Sequence, residues 1–209
     1  MPTEKEAKFK VRSHAAVRRA LKGAGAAYLG TVLQTDRYFD LPDASLRRGD
    51  RGLRIRTVRR LRPTAGRRIG TEGGEDPRPL VTLKGPRRPG KIKIRTEVQT
   101  HVDNPGALVE VFRACGLAVS MTIEKRRASY LLEGRFGRCR VELDELPLLG
   151  CFVEVEGGGE KAIRDACRRL GLAGESITVP YTFLVADYCR RRGISPSRVR
   201  FRTGAHRGR

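Results

Sequence analysis

Residues 91 to 100 read Lys-Ile-Lys-Ile-Arg-Thr-Glu-Val-Gln-Thr, and this alternation decides the fold. Successive side chains of a β-strand point to opposite faces, so the polar and apolar residues of the stretch separate. The polar face carries Lys91, Lys93, Arg95, Glu97 and Gln99, and the apolar face carries Ile92, Ile94 and Val98. The stretch is therefore predicted to be a strand with one apolar and one charged face.

The same alternation recurs along the chain. It appears in residues 53–56, 81–84, 138–144 and 152–156, and the remaining strands are predicted at the N-terminus and near 32–39 and 121–132. A half-buried antiparallel sheet with its charges in solvent would give this pattern in any one strand. Mid-strand charge of both signs across most of the sheet favours a barrel instead. Its charged faces would line a polar interior, and helices would cover its apolar outside.

Four amphipathic segments can supply those helices. They are predicted near residues 14–22, 104–116, 159–170 and 182–191. Ser13 is the expected N-cap of the first helix, and Asp103-Asn104-Pro105 is expected to begin the second. Residues 59–79 are rich in Arg, Gly and Pro without periodicity, so they are predicted to form a mobile loop between strands.

The chain is unusually basic. Its 209 residues carry a net charge of +21, which favours a polyanionic partner such as a nucleic acid, a nucleotide or polyphosphate. Residues 1–189 are predicted to form one domain, and the Arg-rich residues 190–209 a disordered tail without acidic residues. That tail is either an incidental extension or a weak contact for nucleic acid or polyphosphate.

Cysteine usage and hydropathy bear on the compartment. The 5 cysteines have no paired spacing, which is typical of reduced thiols in a cytoplasmic protein. Charged residues rather than an apolar run follow Met1, so no signal peptide is predicted, and no stretch approaches the length of a membrane span. The protein is expected to be cytoplasmic, without a membrane partner, and a monomer or a homodimer.

The N-terminal segment Glu4-Lys5-Glu6-Ala7-Lys8 carries the chemistry. Glu4, Glu6 and Lys8 share one face if the segment is a strand. Two neighbouring carboxylates repel each other and are costly to bury unless a cation lies between them. Carboxylate oxygens suit Mg²⁺ or Mn²⁺. An exposed, charged edge strand is the alternative for this segment taken alone.

In this order, the segments resemble the CYTH superfamily, the triphosphate tunnel metalloenzymes, which include class IV adenylyl cyclases and thiamine triphosphatases. The resemblance covers residues 4 to about 188. It is carried, in chain order, by Glu4-x-Glu6-x-Lys8, Gln34-Thr-Asp36-Arg-Tyr38-Phe39-Asp40, Leu53-Arg-Ile-Arg56, Thr82-Leu-Lys-Gly85, Arg95-Thr-Glu97, Glu124-Lys125-Arg126-Arg127, Leu143-Asp144 and Leu149-Gly150-Cys-Phe152-Val-Glu154-Val-Glu156. It implies an α+β fold in which an eight-stranded antiparallel barrel forms a tunnel with a charged interior, flanked by helices.

The resemblance also implies the roles of the site residues. Divalent metal, Mg²⁺ or Mn²⁺, would be held by Glu4, Glu6, Glu97, Asp144, Glu154 and Glu156. The phosphates of a small-molecule triphosphate would be bound by Lys8, Arg54, Arg56, Lys84, Arg95, Lys125 and Arg127. Lys8, Glu154 and Glu156 would be the catalytic residues. Forked guanidinium donors and lysine point charges match the oxygens of a triphosphate.

Several positions stay open. Gln99 stands where the family often has a second glutamate, which weakens the metal-ligand role of Glu97, and the His-Phe that precedes the acidic motif in class IV cyclases is missing. Arg126 is expected to point outward, whereas Arg138 and Arg140 could lie inside the tunnel or at its mouth. Asp36 and Tyr38 could be structural, and Tyr181 is expected to be a packing residue.

The expected function is a metal-dependent hydrolase acting on inorganic tripolyphosphate, thiamine triphosphate or a nucleoside triphosphate. The alternative is a class IV adenylyl cyclase that makes cyclic AMP and pyrophosphate from ATP. A module that only binds polyphosphate or nucleic acid is a remote alternative. Such a module gains nothing from Glu4, Glu6, Glu154 and Glu156, which repel phosphate unless a metal intervenes.

Overall fold

Eight antiparallel strands close into a barrel in this computed structural model, which describes residues 3–61, 77–90 and 92–202. The strands are β1 (Thr3–Val11), β2 (Ala27–Asp40), β3 (Gly52–Arg60), β4 (Leu80–Arg88), β5 (Lys93–His101), β6 (Ala118–Leu132), β7 (Cys139–Leu146) and β8 (Gly150–Gly157). Their order is β2-β3-β4-β5-β1-β8-β7-β6, and pairing between β2 and β6 closes the barrel. The predicted α+β barrel is confirmed.

Five helices of the described residues lie against the barrel. They are α1 (Ala15–Gly23), α2 (Ser45–Arg48), α3 (Pro105–Ala114), α4 (Glu160–Arg169) and α5 (Tyr181–Arg192). The apolar faces of the strands point outward, toward these helices. Val153 and Val155 of β8 pack in one apolar cluster with Leu21 of α1 and Ile163 of α4. This arrangement leaves the charged strand faces for the interior.

Two other apolar clusters are found among the residues that the structure describes. Phe39 of β2 and Ile55 of β3 pack with Val109 of α3. Met121 of β6 and Phe152 of β8 pack with Val185 of α5. Within the described residues, no helix combines the length and the apolar character needed to cross a bilayer.

The helix starts agree only partly with the sequence predictions. Asn104 caps α3, since its side-chain oxygen accepts a hydrogen bond from the backbone N–H of Ala107 at 2.9 Å. The expected cap Ser13 is wrong for α1, because His14 holds the N-cap position and makes no capping bond. The His14 ring instead contacts the carbonyl oxygen of Phe152, with Nε2 at 3.0 Å.

Part of the predicted disordered tail is ordered, so that prediction is wrong for residues 190–202. Helix α5 continues to Arg192, and a short strand β9 (Arg198–Val199) pairs in parallel with β6. Val199 is buried in the same cluster as Val185. Burial of an apolar side chain and pairing with an open strand edge offset the cost of ordering a basic segment.

Some predictions fall on residues outside the described ranges. These are Met1 and Pro2, residues 62–76 of the predicted loop, Lys91, and residues 203–209 of the tail. The domain of residues 1–189 stays a prediction, and so does a nucleic-acid contact through the Arg-rich residues.

The two ends of the barrel are built differently. At the end that we call the α2–α5 end, β2 finishes beside the start of β6, as the pairing of Asp40 with Ala118 shows. Helix α2 connects β2 to β3 at this end. Helix α5 begins there, since Phe183 in its first turn lies beside Arg87 near the end of β4. At the opposite end, the β1 end, β1 begins and β8 finishes, as the pairing of Glu6 with Glu156 shows.

Candidate active-site tunnel

A cavity of about 1080 Å³ runs through the barrel. Every residue predicted to bind metal or phosphate lines it, except Asp144. The wall contains Glu4, Glu6, Lys8, Arg54, Arg56, Lys84, Arg95, Glu97, Lys125, Arg127, Glu154 and Glu156. Asp144 is fully buried behind this wall. The sequence alternation therefore brings the predicted residues together, and their chemical roles stay predictions.

Lys8 lies at the centre of the wall. Its ammonium nitrogen is 3.3 Å from Glu154 Oε1 and 3.8 Å from Glu6 Oε1, and it donates a hydrogen bond to the carbonyl oxygen of Val179 at 3.2 Å. It also lies 4.1 Å from the centre of the Tyr181 ring. The side chain is almost completely buried, so its charge is held in place by carboxylates and an aromatic face.

Lys84 joins two strands of the wall. Its ammonium group donates to Glu4 Oε2 at 2.9 Å and also contacts the Glu97 carboxylate. Burial lowers the pKa of Lys84 to about 7, and the positive charge of Arg54 adds to this effect. Burial alone would raise the pKa of Glu4, but the charges of Lys84 and Lys93 outweigh it and lower that pKa to about 2. The lysine thus has a perturbed protonation equilibrium inside the tunnel.

Arg127 and Lys125 meet at the buried Asp144. Arg127 donates two hydrogen bonds to Asp144, with 2.6 Å from Nε to Oδ1, and also contacts Glu154. Lys125 Nζ donates to Asp144 Oδ2 at 3.0 Å, and the Tyr181 hydroxyl donates to the same oxygen at 3.1 Å. Although burial opposes ionisation, Arg127 and Lys125 keep the pKa of Asp144 below its usual value. Asp144 therefore orients two phosphate-binding candidates from behind.

Arg54 and Arg56 share one carboxylate. Arg56 binds Asp36 through Nε at 2.6 Å and Nη2 at 2.7 Å, and Arg54 Nη1 donates to Asp36 Oδ2 at 3.3 Å. Asp36 is buried, and the two arginines overcome the effect of burial and lower its pKa. The Tyr38 hydroxyl lies 3.4 Å from the same carboxylate. Asp36 is thus an orienting residue, and the sequence had left that role open.

Arg95 has a different set of partners from the one expected of a phosphate ligand. Its Nε donates to the carbonyl oxygen of Gly85 at 2.8 Å, and its Nη2 donates to the carbonyl oxygen of Asp50 at 2.9 Å. Burial lowers its pKa. Arg95 lines the tunnel, but most of its donors hold the backbone around β4 and the start of β3.

Lys93 belongs to the site, although the sequence analysis did not assign it a role. Its ammonium group donates to Glu6 Oε1 at 2.5 Å, and burial is outweighed by Glu6 and Glu4, which raise the pKa of Lys93. Lys93 alternates with Arg95 on β5, so the face pattern could have identified it. Glu142 and Arg140 also line the cavity, whereas Arg126 is about half exposed and pairs with Glu145 outside it.

The tunnel carboxylates provide the oxygen ligands that a divalent ion prefers, and some of them carry negative charge that such an ion would balance. Within residues 3–61, 77–90 and 92–202, no three Asp, Glu, His or Cys side chains are close enough to hold an ion as they stand. Glu156 faces the tunnel with its pKa raised by burial and by the charges of Glu4 and Glu6. This acidic group has the repulsion that a cation would relieve, and its oxygens are those that Mg²⁺ and Mn²⁺ prefer. Glu97 is less available, because it also accepts a hydrogen bond from Gln99 at 2.6 Å.

Comparisons with known proteins agree with this geometry. The CYTH domain matches residues 2–169. A Methanocaldococcus jannaschii protein provisionally named adenylate cyclase is 28% identical over 153 residues, which is 73% of this chain and 75% of the relative. A solved Pyrococcus horikoshii structure has a TM-score of 0.65 at 26% identity, covering 85% of this chain and 96% of the other. A Hippeastrum protein provisionally named adenylyl cyclase, with a reported dominant triphosphatase activity, shares the fold (TM-score 0.60, 17% identity, 92% and 97% covered).

Proposed function

The chain belongs to the CYTH family, whose members are enzymes that bind triphosphates, and from this premise we propose that it is a metal-dependent triphosphatase. One observation carries the proposal. Lysines, arginines and glutamates of seven barrel strands line a single cavity of about 1080 Å³. A triphosphate needs cations around its oxygens and a metal to neutralise the rest of its charge, and this wall offers both kinds of ligand.

Each group of side chains has a distinct task in this proposal. Lys8, Arg54, Arg56, Lys84, Lys125 and Arg127 hold the phosphate oxygens, and Lys93 is added to them on the evidence of its position. Glu4, Glu6, Glu154 and Glu156 hold Mg²⁺ or Mn²⁺, with Glu97 as a further ligand. Asp144, predicted as another ligand, is buried behind the wall and orients Arg127 and Lys125 instead. When bound, such an ion neutralises phosphate charge and makes water more acidic.

The reaction proposed is attack of water on the terminal phosphorus. A bond forms between the water oxygen and phosphorus, the bond to the bridging oxygen breaks, and orthophosphate and a diphosphate leave. Glu154 and Glu156 orient the water and accept its proton, while Lys8 balances charge on the phosphoryl oxygens. Lys8 is already fixed by Glu154 and Val179, so little reorganisation is needed.

The rival reaction is that of an adenylyl cyclase, which the name of the 28% identical relative favours. In that reaction the ribose 3′-hydroxyl attacks the α-phosphorus and pyrophosphate leaves. Both reactions use the same cations, because both neutralise charge on the same chain of phosphates. They differ in which phosphorus lies beside the carboxylates.

Product analysis separates the two. We would incubate the protein with Mg²⁺ or Mn²⁺ and tripolyphosphate, thiamine triphosphate or ATP, and resolve the products by chromatography. Orthophosphate with a diphosphate supports the triphosphatase, whereas pyrophosphate with cyclic AMP would establish the cyclase. Without metal-dependent turnover of any of the three compounds, the proposed function is wrong.

A further inference from the structure

The two ends of the tunnel present different chemistry to a bound chain of phosphates. Toward the β1 end the lining is polar apart from Leu80, and it contains Gln99, Ser129, Arg140, Glu142 and Glu156. Toward the α2–α5 end charged residues such as Arg47, Arg48 and Asp50 are joined by apolar side chains, which include Leu41, Met121 and Phe183. Apolar side chains offer no donors to phosphate oxygens, so their presence suits this end to a different part of a substrate.

Two large apolar side chains at this end are left uncovered. Phe183 of α5 is 39% exposed and Leu41 is 37% exposed, although both line the cavity. Exposed apolar surface in a concave, otherwise charged site is the usual mark of a ligand-binding wall. An aromatic ring at the mouth of a basic tunnel can stack on a flat heterocycle.

The Phe183 ring has a fixed neighbour. The guanidinium of Arg87 lies 5.8 Å from the ring centre. Arg87 is in turn held by the carboxylate of Asp50, with Nε 2.8 Å from Oδ2, and its backbone N–H donates to the same oxygen at 2.8 Å. The partly exposed Phe183 ring therefore lies beside a guanidinium that Asp50 holds in place.

We propose that the α2–α5 end binds an aromatic heterocycle carried by a triphosphate ester, with Phe183 as the specificity-determining residue. This inference rests on the proposed function and names its substrate class, an ester rather than inorganic tripolyphosphate. Arg47 and Arg51 also line this end and supply donors for the heteroatoms of such a group.

The placement fixes the direction of the phosphate chain. With the heterocycle at the α2–α5 end, the terminal phosphoryl group points toward the β1 end. Glu156 lies opposite Glu6 in the pairing of β8 with β1, and Glu4 lies closer to the β1 end than Glu6 does. The carboxylates proposed to hold metal and water then lie beside the terminal phosphorus and not beside the α-phosphorus. This direction favours hydrolysis over cyclisation.

Titration calorimetry in EDTA, where no metal-dependent turnover occurs, tests the proposal by binding alone. The ratio of the affinity for ATP or thiamine triphosphate to that for tripolyphosphate is measured in the parent, in Phe183→Ala and in Phe136→Ala. Phe136 is the matched control, because it is also exposed and lies beside a guanidinium, that of Arg135, but does not line the tunnel.

We expect Phe183→Ala to lower the ratio for at least one ester about fivefold to a hundredfold, the range found for the loss of one stacked ring. Phe136→Ala should keep the parent ratio. If Phe183→Ala does not fold, Leu41→Ala serves instead and should lower the ratio in the same direction. An unchanged ratio in a folded Phe183→Ala protein, or an equal fall in Phe136→Ala, overturns the inference. The turnover assay alone decides the proposed function, so the two can fail separately.

Discussion

Glu154 and Glu156 lie two residues apart on β8, but their surroundings shift their pKa values in opposite directions. Burial would raise the pKa of Glu154, but Lys8 and Arg127 hold it well below the usual value, whereas the pKa of Glu156 is raised. We expect Glu154→Gln to lower the free energy of unfolding at pH 7 by about 3 kcal/mol, because it removes the carboxylate that the buried Lys8 and Arg127 share. Glu156→Gln should leave that free energy unchanged or slightly higher.

Urea unfolding of the two variants without metal provides the measurement. Both should also lose metal-dependent turnover, since both glutamates are proposed to act on the metal and the water. Equal losses of stability would contradict the difference in their surroundings. Full turnover of Glu156→Gln in saturating Mg²⁺ would remove that residue from the site.

Arg54 and Arg56 differ in how strongly they hold Asp36. Arg56 makes the two short hydrogen bonds, and Arg54 makes a single one at 3.3 Å. Arg56→Ala should therefore destabilise the protein more than Arg54→Ala, by about 1–3 kcal/mol, because it leaves a buried carboxylate short of donors. Each change should weaken tripolyphosphate binding about tenfold to a hundredfold through loss of a charge-assisted hydrogen bond.

Thermal unfolding and calorimetric titration of both variants test this pair of expectations. If Arg54→Ala is the less stable variant, the hydrogen-bond distances to Asp36 do not predict which arginine contributes more to the free energy of unfolding. If both variants bind tripolyphosphate like the parent, neither arginine contacts phosphate.

At the residue scale, sequence alternation placed side chains correctly but did not reveal their partners. Period-two alternation identifies the inward face, which is why twelve of the predicted residues line the cavity. It cannot tell which inward cation has its donors occupied by backbone carbonyls, as in Arg95, because those carbonyls belong to distant segments. The orienting role of Asp36 depends in the same way on a contact across two strands.

At the scale of single elements, β9 shows how little apolar surface orders a basic segment. Val199 is 3% exposed, while its neighbour Arg198 faces outward. Val199→Ala should lower the free energy of unfolding by about 1.5 kcal/mol or more through loss of buried methyl groups. Arg198→Ala is the matched control in the same strand and should change it by less than about 0.5 kcal/mol.

Chemical denaturation of the two variants compares them directly. Equal stability of Val199→Ala and the parent would mean that β9 does not pack on β6 in solution. Because the backbone N–H of Thr122 in β6 donates to the carbonyl oxygen of Ser197, hydrogen exchange at Thr122 gives a second, independent measure of the same contact.

Element boundaries were predicted best where a strong apolar periodicity begins at a residue that typically flanks a helix. The predicted helix over 159–170 and the observed α4 agree closely, since an apolar stripe and Gly159 mark its start. Helix α2 was missed because four residues are too few to show a period, and the backbone N–H groups of its second and third residues, Leu46 and Arg47, donate to the side chain of Asp40. The first part of β2 was also missed, because Gly30 and exposed Leu29 interrupt the alternation.

At the scale of the whole molecule, the tunnel carries more positive charge than its carboxylates balance. Burial and neighbouring cations lower the pKa of Lys84 to about 7 and that of Lys125 to about 8. An unfolded chain keeps both lysines protonated to about pH 10.4. Between these values the unfolded state binds more protons, so stability rises as the pH rises from about 7 to about 10.

Each lysine contributes at most about 1.4 kcal/mol per pH unit to that rise. Denaturant unfolding between pH 7 and 10 should show part of the slope lost in Lys84→Gln. Lys22→Gln, an exposed change on α1, should keep the parent slope. Identical slopes in all three proteins would mean that Lys84 titrates normally.

The position of β1 in the barrel governs the order of assembly during synthesis. This first strand pairs with β5 on one side and with β8 on the other. Its second neighbour, β8, is therefore not available until the ribosome has made residues up to Gly157, and contacts so distant in sequence form slowly. Until then the strand that bears Glu4 and Glu6 keeps an unpaired edge on its β8 side, open to chaperones, proteases or a second nascent chain. Strand β1 would thus be made before both of its neighbours and be among the last strands to reach its native place.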